Sequence, residues 1–68
     1  MMPDLKEMRA DLELLGIVAK LEWAETRKPL AGAWATKVVF KSSEDMNHYK
    51  LAGKFTKINM SVENVSNR

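Results

Sequence analysis

The 68-residue chain contains no cysteine, which excludes disulfide staples, thiolate zinc sites and cysteine nucleophiles together. Its single histidine, His48, gives no basis for a histidine-rich metal site. Neither a metal nor a cofactor is expected. The longest apolar run, Leu14–Ala19, falls far short of the ~20 residues a membrane span requires, so no membrane partner is expected. The opening MMPDLKEM lacks a basic region followed by an apolar stretch, so no secretion signal is visible and a cytoplasmic address is expected. In that setting the Asn-x-Ser sequons at Asn59 and Asn64 are read as chance. No glycine-rich phosphate loop, Walker-type, EF-hand or zinc spacing occurs, and no repeat or low-complexity tract.

What remains is one small domain over residues 1–68, with 64–68 expected to fray. A chain of this size buries only roughly 60% of the surface its unfolded form exposes. Without staples, association with a second copy is the remaining remedy, and a homodimer is expected. The formal charge of +2 is unevenly spread. Residues 1–16 carry Lys6 and Arg9 against Asp4, Glu7, Asp11 and Glu13. Residues 37–68 carry five lysines and Arg68 against Glu44, Asp45 and Glu63. Such asymmetry suits head-to-tail docking or an anionic partner, though ordinary solvated charge explains it equally simply.

The hydrophobic pattern changes rhythm along the chain. Leu5, Met8, Leu12 and Leu15 form one helical stripe, which predicts a helix over 3–15, with Gly16 suited to end it in the left-handed conformation. Ile17, Ala19, Leu21 and Trp23 then alternate with Val18, Lys20, Glu22 and Ala24, as in a strand with one apolar face. A competing reading carries the helix on from 3 to 27, ahead of a small βαβ unit, at a cost of about 1 kcal/mol for an internal Gly16. Thr26–Ala33, with Pro29 and Gly32, reads as a loop. Trp34, Thr36, Val38 and Phe40 predict the second strand's inward face, in register with Trp23, Leu21, Ala19 and Ile17. Ser42 or Ser43 caps a helix whose inner face is Met46, Tyr49 and Ala52 and which stops at Gly53. Ile58, Met60 and Val62 predict a third strand. The fold class is therefore α+β, a two-layer domain of order α-β-β-α-β with both helices on one face of a three-stranded sheet.

Chemistry is sparse. Ser42, Ser43, Asp45 and His48 contain the letters of a hydrolase triad, yet Asp45 and His48 share one short helix in a chain that offers no evident cleft. No catalytic residue is assigned. If the helices cover one side of the sheet, the other is expected to show Ala35, Lys37, Val39 and Lys41 beside Phe55, Lys57, Asn59 and Ser61. Lysines there neutralise phosphates and Phe55 could stack on a base, although single-strand readers normally use more than one aromatic. The plainer reading is that such lysines protect strand edges. Trp23 and Trp34 serve either as an interface hot spot or as closure for the hairpin end of the core. The favoured expectation is a non-enzymatic, self-associating interaction module that binds and modulates a protein partner. The alternative is a nucleic-acid-binding domain using Lys37, Lys41, Lys54, Phe55 and Lys57. In either case Val39 belongs to the contact surface.

Overall fold

In a computed structural model describing residues 2–25 and 32–64, the first helix, α1 (Leu5–Leu14), starts directly after Asp4. The Asp4 carboxylate accepts the otherwise unpaired N–H groups of Lys6 and Glu7 at 3.0 and 3.3 Å. Pro3 lies just outside the helix rather than in its first turn, and its carbonyl accepts the Ala35 N–H at 2.9 Å. The other end closes as the sequence predicts. Gly16 takes φ 71°, its N–H reaches the Glu13 carbonyl, and Ile17 N–H returns to the Leu12 carbonyl, each at 3.0 Å. That pair of bonds is a Schellman cap, and Leu12 and Ile17 are both buried beside it. The continuous helix to residue 27 is thereby overturned.

Strand β1 (Ala19–Glu25) pairs antiparallel with β2 (Ala33–Phe40), which pairs parallel with β3 (Asn59–Val62), giving the order β1-β2-β3. The second helix, α2 (Ser43–Ala52), connects β2 to β3. Ser42 caps it, its hydroxyl accepting the Asp45 N–H at 3.1 Å, while Glu44 and Asp45 complement the positive helix end. Leu5, Met8 and Leu12 of α1, Tyr49 of α2, and Ala35, Val38 and Phe40 of β2 join Ile17 in one core. The architecture is the two-layer α+β domain predicted. Ala52, expected on the inner face of α2, is exposed. The predicted loop falls largely on residues 26–31, outside the described residues, as does most of the predicted frayed tail, 65–68.

One prediction within the hairpin fails instructively. Ala19 stands opposite Phe40 and Leu21 opposite Val38, two residues from the expected register. A shift of two preserves which side each residue faces. Between Glu22 and Trp23 the pairing slips back by one, placing Trp23 opposite Ala35 and Ala24 opposite Trp34. Thr36 is the extra residue, a β-bulge that reverses the facing of everything before it on β2. Ala35 thus points inward and is fully buried, and Trp34 turns outward. Beside the bulge the Pro3–Asp4 segment runs along β2, the Pro3 carbonyl accepting the Ala35 N–H, while the Ala35 side chain joins the core. The two tryptophans therefore do not close the core together.

Candidate functional site

The sheet face opposite the helices is built by alternation and the bulge. Lys20, Glu22 and Ala24 of β1 lie beside Val39, Lys37 and Trp34 of β2, and Asn59 and Ser61 of β3 complete it. Lys37 and Val39 are where the sequence placed them, with Asn59 and Ser61 alongside. Ala35 is not, for the reason above. Charge on this face is matched. Glu22 is directly opposite Lys37, and Lys20 Nζ reaches across Val39 to Glu63 Oε1 at 3.6 Å. Both ions are partly solvated, so the pair adds little stability. With Glu22 and Lys37 it brackets the half-buried Val39, and Trp34, also half-buried, lies farther along β2 beyond Lys37.

The remaining predicted contact residues sit elsewhere. Phe55 packs against the core beside α1 rather than on the open face, and its N–H donates to the Tyr49 hydroxyl at 3.2 Å. Lys54 N–H donates to Asp11 Oδ2 at 2.8 Å, which ties that turn to α1. Lys41 is exposed just beyond β2, and Lys57 is exposed in the turn before β3. Lys54, Phe55 and Lys57 line one concavity of about 230 Å³ with Pro3, Thr56 and Ile58, and neither Lys37 nor Lys41 lines it.

A buried polar centre explains why Phe55 turns inward. Tyr49, fully buried, donates its hydroxyl proton to Asp11 Oδ2 at 2.6 Å, with Met8 Sδ 3.7 Å away. Asp11 is only 7% exposed, yet this one carboxylate oxygen accepts both the phenol and a backbone N–H. Burial, reinforced by the hydrogen bond to Asp11, pushes the Tyr49 phenol up to about 12. Asp11 lies outside the Leu5–Met8–Leu12–Leu15 stripe. Its wheel position, flanking Met8 and Leu15, was the available signal. The centre locks α1, α2 and the 53–58 turn together, and Asp11 also lines a shallow concavity of about 190 Å³ with Glu7, Leu14, Lys54 and Phe55.

Concave sites are shallow. One, of about 360 Å³, lies between α1 and β1 and is lined by Arg9, Leu12, Glu13, Ile17, Val18, Ala19 and Leu21. It exists because α1 packs on β2 and leaves the inner side of β1 thinly covered: Leu21 is half-buried and Trp23 is 48% exposed. The outer edge of β1 has no strand partner among the described residues. His48 is exposed on α2, and the Ser42 hydroxyl is engaged as a helix cap. Among the described residues no three histidine or carboxylate side chains gather to hold a metal ion. No described helix is long and apolar enough to cross a membrane. No protein-family model matches the chain, and neither a curated protein nor a solved structure resembles it closely enough to assign a relative.

Proposed function

We propose that this chain is a non-enzymatic cytoplasmic interaction module that self-associates and uses its open sheet face to bind and modulate a protein partner. A regulator, inhibitor or accessory subunit would act in this way. The observation that carries the reading is Val39, a half-buried apolar centre between the Glu22–Lys37 and Lys20–Glu63 charges on a sheet face over which the described residues lay no second layer. An apolar centre rimmed by charge is characteristic of contact surfaces. The alternative, nucleic-acid binding, draws on Lys37, Lys41, Lys54 and Lys57. It is weakened by Glu22 opposite Lys37, by Glu63 against Lys20 and by the inward turn of Phe55.

The test is affinity capture by the wild-type chain, by Val39→Glu, and by Glu44→Lys on the exposed side of α2, followed by titration of the purified partner. A protein held by the wild type and Glu44→Lys but lost by Val39→Glu supports the reading. Equal retention by all three, or no partner, overturns it. Labelled single-stranded RNA titrated at two salt concentrations addresses the alternative. A salt-sensitive affinity abolished by Lys37→Glu with Lys57→Glu would put nucleic acid in the protein's place.

A further inference from the structure

We infer that the second copy docks through the β1 edge, as an antiparallel β1–β1 pair centred on Leu21, with Trp23 of each copy filling the α1–β1 groove of the other. This rests on the self-association reading above and specifies its geometry. A seven-residue strand whose outer edge has no strand partner among the described residues presents backbone donors and acceptors to any matching strand. A two-fold axis perpendicular to the sheet requires each residue at the centre to meet itself, so only a few registers exist.

Charge chooses among them. Centring on Lys20 sets two lysines face to face, and centring on Glu22 does the same with two glutamates. Centring on Leu21 sets Lys20 opposite Glu22 of the second copy, twice over by symmetry, on the open face. On the helix side that register brings Leu21 against Leu21 and Ala19 against Trp23 of the second copy. Ala19 lines the α1–β1 groove of about 360 Å³, whose walls also include Leu12, Ile17 and Leu21. The small residue and the half-exposed indole are complementary: the large side chain arrives where the groove opens and the opposing strand position is small. Arg9, on the rim, offers a cation to the ring face. Val18, 65% exposed, comes opposite Ala24 of the second copy. One register thus satisfies the charges, the groove and the exposed apolar groups together. The result is a six-stranded sheet with four helices on one side and both open faces on the other.

Sedimentation velocity on the full chain over a dilution series tests this with wild type, Lys20→Glu, Glu22→Lys and the double exchange. Each single exchange creates two like-charge pairs and is expected to weaken the dimer on the order of ten-fold. The double exchange restores opposite pairs and should return it to within about three-fold of wild type. Circular dichroism on each variant verifies that the monomer fold persists. A second readout uses the absence of native cysteine: Leu21→Cys should form a disulfide-linked dimer on mild oxidation, and Val39→Cys on the central strand should not. A wild-type chain that stays monomeric at about 100 μM overturns both this pairing and self-association. A dimer indifferent to the single exchanges, or not rescued by the double, overturns this register and leaves self-association standing.

Discussion

Asp11 Oδ2 is the atom at which two helices and a turn meet, and its removal has consequences that a surface aspartate would not show. Asp11→Ala leaves the Tyr49 hydroxyl and the Lys54 N–H without their acceptor and should cost about 2–3 kcal/mol. Asp11→Asn keeps an oxygen able to accept both bonds and should cost about 1 kcal/mol, so the two variants separate by several degrees in a thermal melt. The same centre sets an alkaline limit. The Tyr49 phenol stands at about 12 in the folded protein against 10.0 in the ordinary case. Below pH 10 both folded and unfolded chains keep the proton and the contribution to stability is complete. Between pH 10 and 12 the unfolded chain gives up the proton first, so stability falls as pH rises, by on the order of 3 kcal/mol in total. Denaturant midpoints measured from pH 9 to 12 should fall more steeply for wild type than for Tyr49→Phe. Parallel slopes would show that the phenol plays no such part.

At the scale of the elements, two glycines end the two helices for different physical reasons. Gly16 holds φ 71° with open space around it, so Gly16→Ala should cost about 1–2 kcal/mol from backbone conformation alone. Gly53 has an extended backbone that alanine tolerates, but an added methyl overlaps the Tyr49 ring. That ring is fully buried and pinned through its hydroxyl, so it cannot yield cheaply. Gly53→Ala should therefore destabilise strongly, with a penalty that shrinks in a Tyr49→Leu background, whereas the Gly16→Ala penalty stays fixed there. Chemical denaturation of the double-mutant cycle distinguishes the two cases. The difference also marks what the sequence made legible. The stripe Leu5–Met8–Leu12–Leu15 and the alternation after Gly16 are periodic and local, and periodic local signals identify elements without tertiary knowledge. The bulge at Thr36 is neither. It accompanies a contact between distant segments, the Pro3 carbonyl, 32 residues earlier, accepting the Ala35 N–H. Once it is present, Trp34 changes sides. Phe55 was misplaced for a related reason, since its direction is set by Tyr49 and Asp11, a contact between distant segments. Lys37 and Val39 were placed correctly because they lie past the bulge, where simple alternation still holds.

At the scale of the whole molecule, the core among the described residues is eight buried hydrophobic residues, and β1 contributes none of them. The strand is held to the domain by pairing with β2 while its own inner side, Leu21 and Trp23, remains partly in water. A second copy laid along that edge adds cover where the single chain has least. Folding and association are then linked, and stability rises with concentration wherever the chain is dimeric. For a dimer unfolding to two chains, a ten-fold increase in protein adds about 1.4 kcal/mol per dimer. With an unfolding entropy of about 2.1 cal/mol/K per residue, that increase moves the melting midpoint up by about 5 °C. Lys20→Glu should lower the midpoint most at concentrations where the wild type is dimeric, and the two curves should converge on dilution. A midpoint that does not move over a hundred-fold range, with the chain melting reversibly, would mean that the single copy sustains itself and that the exposed side of β1 is free for a different protein.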